Sequence, residues 1–300
     1  MIVKSDEVYS SVAQSDRTLE GKKKAAKQIL TQEVSELWHS HVKNLLVQGR
    51  FLDLLTLERK CVVWRSIMYS LPVRVLKFLA NAVTDTLNTK ANLFRWGKSL
   101  TNKCKHCDCV ETLHHVLNCC PTFLSQGRYT WRHNNILKCF VNVATESTGP
   151  DKKIFHDIPS LPGYSPTSTI PMNCSPTNLK PDLCIYDESQ KNVTIMELSI
   201  PFELGVDKAH QYKTDKYSAL LTDIRNNGYD VKFYAIEIGS RGFISENNIQ
   251  RLKQFMNNLD EKSMKPRELR DKLSKTAVVS SFSLYCAKDE PLWQEFSLLG

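Results

Sequence analysis

Five of the chain's ten cysteines fall between positions 104 and 120, and no other feature limits the fold so strongly. The run reads Cys104-Lys-His106-Cys107-Asp-Cys109-Val-Glu111-Thr-Leu-His114-His115-Val-Leu-Asn-Cys119-Cys120-Pro121. Two thiols separated by two residues can grip one tetrahedral ion from a tight turn, and a His and a Cys at short spacing downstream close the shell. The preferred ligands are Cys104, Cys107, His115 and Cys120, a C-x2-C-x7-H-x4-C pattern that reads as a structural zinc knuckle. His114 and Cys119 repeat the His-x4-Cys spacing one residue earlier, so the register of the second half stays open. His106 and Cys109 read as bystanders. A redox Cys-x-x-Cys is set aside because no strand precedes it.

The other cysteines, at 61, 139, 174, 184 and 286, are scattered. The opening MIVKSDEVYSS carries no basic-then-apolar secretory pattern. The most apolar stretch, Cys61 to Val83, is interrupted by Arg65, Arg74 and Lys77, short of the ~20 apolar residues of a membrane span. No signal peptide or transmembrane segment is expected, and the clustered thiols read as metal ligands rather than a disulfide framework.

Charge divides the 300 residues unevenly. Positions 1–150 carry 21 Lys and Arg against 12 Asp and Glu, whereas positions 151–300 carry 19 against 20. The first half suits a nucleic-acid partner, with Arg95, Lys98, Lys103, Lys105, Arg128 and Arg132 around the cysteines and Tyr129 and Trp131 nearby. Those aromatics read first as core and second as base-stacking platforms. Lys22, Lys23, Lys24 and Lys27 read as a solvated helix face.

The first hundred residues have helical periodicity. Val34, Trp38, Val42 and Leu45 form one stripe, widened by Leu37 and Leu46, and Phe51, Leu54, Leu55, Val63 and Ile67 continue the spacing. Pro72 suits the start of a helix with Val73, Leu76, Leu79, Ala80 and Val83 on its apolar face. Another helix is predicted from Tyr129 to Ala144. Six of twelve prolines then lie between His156 and Pro181, a density that leaves a linker or an extended, irregular lead-in. Beyond it the period becomes two: strands are predicted at 182–186, 193–200 and 231–238, with helices over 208–226, 246–258 and 266–286.

The acids of that half form a pattern. A hairpin centred on Ser189-Gln190 opposes position i to 379−i, which places Asp182 across from Glu197 on one face. Two such carboxylates repel unless a cation lies between them, which suggests Mg²⁺ or Mn²⁺. Glu203 follows six residues after Glu197, beyond Pro201, and could either ligate the cation directly or support its ligands from behind. The next helix presents Lys213 and Lys216 on one face with His210 and Tyr217, so a lysine could position or deprotonate an attacking water. Glu197 lies inside an otherwise buriable strand, Ile195-Met-Glu-Leu-Ser-Ile200, and burying it alone would cost about several kcal/mol, so it needs a partner.

Taken together, Lys180-Pro181-Asp182, Glu197-Leu-Ser-Ile-Pro-Phe-Glu203 and Lys213-Thr-Asp-Lys216-Tyr217 resemble the restriction-like endonuclease at the C-terminus of site-specific non-LTR retrotransposon polyproteins, within the PD-(D/E)xK superfamily. The segment from Trp64 to Leu100, the knuckle, and Tyr129-Thr-Trp-Arg-His133 are similar to the same family in the same order, so the resemblance spans about 60–240. It implies Asp182 and Glu197 as metal ligands and Lys213 as catalytic lysine, with Lys216 the competitor. Ser199 stands where the superfamily's ideal has its lysine, so the lysine must come from the helix. It also implies DNA as partner, element RNA as a second candidate, nuclear location, and a parent polyprotein larger than this chain. No Asp-Asp pair occurs, so the polymerase motif is missing, and no Gly-rich phosphate loop is present.

The expected fold is α+β: a helical region (1–99), a CCHC zinc knuckle with its following helix (100–150), a Pro-rich linker (151–178), and an α/β restriction-endonuclease-like core on a small mixed sheet (179–300). The expected activity is metal-dependent nicking of target DNA that exposes a 3′-hydroxyl for primed reverse transcription. The alternatives are a catalytically inactive, zinc-containing nucleic-acid-binding protein derived from such an element, and a zinc-stabilised adaptor.

Overall fold

The computed structural model describes residues 18–45, 64–261 and 263–294. Its contacts divide the chain into two compact units, 1–57 and 58–300. The first contributes one long helix, α1 (Leu19–Lys43), started by the Thr18 side chain, which accepts from the Gly21 amide at 3.1 Å. Its lysines at 22, 23, 24 and 27 are exposed, as a solvated face should be. Leu46, Phe51, Leu54, Leu55, Cys61 and Val63 lie outside the described residues.

The second unit is α+β. Helices α2 (Trp64–Ile67), α3 (Val73–Val83) and α4 (Lys90–Arg95) precede the cysteine run, with Pro72 capping α3 rather than lying within it. After the run come α5 (Pro121–Ser125) and α6 (Arg128–Ser147), separated by Gly127, whose φ of +72° is the left-handed turn that glycine permits. The sheet follows as β1 (Lys153–His156), β2 (Leu183–Asp187), β3 (Asn192–Ser199) and β4 (Asp230–Glu237), with α7 (Val206–Asn226) crossing between β3 and β4. Helices α8 (Glu246–Asn257) and α9 (Pro266–Cys286) close the chain.

The four strands are ordered β1-β2-β3-β4; the first three are antiparallel and β4 runs parallel to β3. Parallel neighbours need a long crossover, and α7 supplies it. In the β2–β3 hairpin Leu183 opposes Met196 and Asp187 opposes Asn192, the register expected from its polar turn. That turn is fixed locally: Asp187 Oδ1 accepts from the Ser189 hydroxyl and the Gln190 amide, and Lys191 takes φ +50°. All five residues of β2 are buried, as are Val193 through Leu198 of β3.

Three expectations change. The buried face of α3 is Val75, Phe78, Leu79 and Ala82, whereas Val73 is exposed. The face is chosen by α9, whose Phe282 and Tyr285 rings lie 5.5 and 5.4 Å from Phe78. The Pro-rich stretch indeed holds no helix or strand from 157 to 181, yet it is no free tether. Ile158, Ile170 and Cys174 are buried, the latter two in the core formed by β2, β3 and α7, and β1 adds an edge strand before it. Finally, residues 58–300 form one compact unit instead of separate helical, zinc and nuclease bodies, because α9 packs against α2, α3, α6 and α8 together.

Candidate functional site

The cysteine run folds as a knuckle followed by a single π turn. Lys103 bridges Val110, the Cys104 amide donates to the Cys109 carbonyl at 2.9 Å, and the His106 amide approaches the Cys104 sulfur at 3.5 Å. His115–Cys119 then winds with i→i+5 geometry, which stacks residues five apart on one face. Both His-x4-Cys pairs are therefore brought together. His115 turns inward with Cys120, while His114 and Cys119 meet each other at 3.2 Å away from the cluster, with the His114 ring 4.8 Å from Phe202.

The ligand atoms of Cys104, Cys107, His115 and Cys120 all lie within 4.8 Å of one another. Cys107 Sγ and His115 Nε2 are 3.4 Å apart, against about 3.3–3.8 Å between neighbouring ligand atoms around a tetrahedral zinc ion. Three thiols and an imidazole, three of the four groups buried, are a donor set that fits zinc. Burial pushes the Cys104 thiol up to about 12 and raises Cys120 as well, so a bound cation is what would hold them as thiolates. Tyr129 braces the turn: its hydroxyl accepts from the Cys120 amide at 2.9 Å and points at the His115 and Val116 carbonyls at 3.1 Å. His106 Nε2 donates to the Lys288 carbonyl at 2.8 Å and Cys109 is exposed, as bystanders should be.

The acids meet at the far end of β2 and β3. Asp182 precedes β2 and is 8 % exposed; Glu197, on β3, is 3 % exposed. The Asp182 amide donates to Glu197 Oε2 at 3.2 Å, and Asp182 Oδ2 accepts from the Leu198 amide at 2.7 Å. Lys213 of α7 forms an ion pair with Glu197 Oε1, and Tyr217, fully buried one turn later, also hydrogen-bonds that carboxylate. Lys216 is exposed and turns to the Tyr217 hydroxyl at 3.3 Å, so Lys213 is the lysine at the acids. Burial and the neighbouring Asp182 charge raise Glu197 above the usual carboxylate value. For Asp182 burial acts upward too, but the charges and hydrogen bonds of His133, Leu198 and Lys213 outweigh it and hold the group low.

His133 is the residue that sequence reasoning passed over as a site member. It sits on α6, with Nε2 3.2 Å from Asp182 Oδ2. Although burial disfavours its charge, Asp182 and Asn134 raise its pKa to about 9. Nothing local signals this contact, which spans 49 residues.

Two expectations fail here. Glu203 is not a third metal ligand: its Oε1 accepts from the Arg241 amide at 2.6 Å and its Oε2 from Arg241 Nε at 2.7 Å. Gly239 permits that closure, since a Cβ there would lie 2.7 Å from Glu203 Oε1. Arg128 and Arg132 are not phosphate-facing either, being 0 % and 2 % exposed. Arg128 donates to the Ala287 carbonyl at 2.6 Å and the Glu290 carbonyl at 2.8 Å; Arg132 donates to Ser281 Oγ at 3.2 Å. Trp131 is core, edge-on to Trp293. Arg95, Lys98, Lys103 and Lys105 remain exposed, beside the exposed rings of Phe94 and Trp96.

Comparison of the chain with protein-family models finds no match, and comparison with curated proteins finds none. Among the described residues no helix is long and apolar enough to cross a membrane.

Proposed function

We propose that this protein is a metal-dependent DNA endonuclease of the restriction-like kind found in site-specific non-LTR retrotransposons, carried on a zinc-braced scaffold. The observation that carries the reading is the convergence of Asp182, Glu197 and Lys213 from the start of β2, the middle of β3 and the crossover helix. A helix, three antiparallel strands, a crossover helix and a parallel strand make a small mixed sheet of the kind that reading requires.

The chain's own groups divide the work. Asp182 Oδ1 makes no hydrogen bond among the described residues, while the Glu197 oxygens each accept one, from Lys213 and from the Asp182 amide. This carboxylate pair fits a hard divalent cation, Mg²⁺ or Mn²⁺, which when bound would activate water and stabilise charge on the phosphate. Lys213 is placed to offset the developing negative charge and to hold the attacking water by hydrogen bonding. Tyr217 neighbours Glu197, and Lys216 donates to the Tyr217 hydroxyl at 3.3 Å rather than to either acid. Phosphodiester hydrolysis in this arrangement would leave a 3′-hydroxyl and a 5′-phosphate. The exposed Arg95, Lys98, Lys103 and Lys105 would supply sequence-independent attraction to the duplex.

The test is conversion of supercoiled plasmid to open circles with Mg²⁺ or Mn²⁺, using wild type, Asp182→Ala and Lys213→Ala. Nicking by wild type, with a loss of about 10²-fold or more in both variants, is expected. Equal nicking by all three exposes a contaminant. Absence of nicking with unimpaired DNA binding would favour a nucleic-acid-binding relic.

A further inference from the structure

We infer that His133 is a positioning residue for the Asp182 metal-binding carboxylate, an inference that rests on the proposed acid site. The geometry is specific. Asp182 Oδ2 has two neighbours from different directions: the Leu198 amide at 2.7 Å, contributed by β3, and His133 Nε2 at 3.2 Å, contributed by α6. Oδ1 is bonded to neither. One oxygen is thus pinned twice while its twin stays open, which fixes the plane of the carboxyl group and the direction of the remaining lone pairs. Carboxylates that ligate metals are themselves oriented by such outer partners, and removing a partner typically weakens binding by about 10–100-fold.

His133 is itself held. Its Nδ1 lies 3.3 Å from Asn134 Oδ1, and its backbone belongs to the second turn of a 20-residue helix. It also lines an open cleft of about 440 Å³ whose walls include Asn118, Tyr129, Asn134 and Ile200. A quarter of its side chain is exposed. Lys213 engages the other acid, Glu197, so its ammonium does not substitute for the imidazole at Asp182.

The experiment is Mn²⁺ binding to the full-length, zinc-loaded protein, read by electron paramagnetic resonance of the free ion. Wild type, His133→Ala, His133→Gln and Asp182→Ala are compared, with thermal melts confirming that each folds. His133→Ala should raise the Mn²⁺ dissociation constant roughly tenfold or more. His133→Gln, which keeps a donor, should recover part of that loss, and Asp182→Ala should abolish the site. Asp182-dependent binding of equal strength in wild type and His133→Ala overturns the inference and leaves the nuclease reading intact. His133-sensitive binding by a protein that never nicks DNA supports the inference and overturns the nuclease reading. No Asp182-dependent binding in wild type overturns both.

Discussion

Removing the Glu203 carboxylate should cost the protein stability and leave its metal affinity alone. Glu203 is 2 % exposed and Arg241 is 3 % exposed, so the charges are shielded from water on both sides. Two hydrogen bonds at 2.6 and 2.7 Å join them, Arg241 Nη1 reaches on to the Ala82 carbonyl of α3 at 3.0 Å, and the guanidinium stacks 4.1 Å from the Phe202 ring. Glu203→Ala would leave that guanidinium buried without its carboxylate, and breaking a buried pair from one side costs about 3–5 kcal/mol. For a folded unit of this size, at about 2–4 °C per kcal/mol, the melting temperature should fall by about 6–20 °C. A double variant, Glu203→Leu with Arg241→Met, should recover much of the loss, because apolar groups of similar volume replace buried pairs at little cost. The assay is calorimetry on all three proteins beside Mn²⁺ titration. A Glu203→Ala protein that melts like wild type but no longer binds Mn²⁺ would refute the reasoning and return Glu203 to the metal shell.

Metal analysis should find one zinc per chain; Cys120→Ser should lower that figure, whereas Cys119→Ser and His114→Ala should not, and equal loss from either pair would refute the inward register. Asp260 accepts from the Gly149 amide at 2.9 Å and pairs with Lys152, bonds that hold its carboxyl below the ordinary 3.8. The stabilisation from a lowered acid is complete above 3.8 and is lost as pH falls through the folded-state value, so the stability gap between wild type and Asp260→Asn should close on acidification. Denaturant melts at pH 5 and pH 3 test this, and a gap that widens toward pH 3 contradicts it.

What could be read ahead and what could not separate by range. The β2–β3 register was legible because both strands and their turn lie within seventeen residues, Leu183 to Ser199, and the polar run between them fixes the pairing. The four-residue cluster of the cysteine run was legible because the knuckle and the His-x4-Cys pair are local. Choosing His115 over His114 was harder, since a π turn serves both spacings equally and tertiary contacts separate them: His115 meets Cys107, and His114 packs on Phe202. Glu203, Arg128 and Arg132 were misread for one reason: each is settled by a partner 38 to 162 residues away. A charged side chain in sequence carries no mark of whether it will meet solvent or a distant carbonyl. The stripe of α3 slipped likewise, because α9 decides which side is covered.

Helix α6 connects the two candidate centres. Tyr129, Arg132 and His133 lie three and four residues apart, the spacing that shares a helix face. Tyr129 bonds the backbone of the π turn in the cysteine cluster, Arg132 reaches the Ile200 carbonyl at 3.4 Å just past β3, and His133 meets Asp182. Asn118, inside the π turn, donates to that same Ile200 carbonyl at 2.7 Å. The strand bearing Glu197 is thus tied at its end to the cysteine cluster, and the other acid is tied to the helix that braces the cluster. Zinc at Cys104, Cys107, His115 and Cys120 would therefore stiffen the acid pair without touching it. Under the proposed function, the basic, cysteine-rich half would do more than attract phosphate: it would contribute a wall of the site that holds the second half's acids.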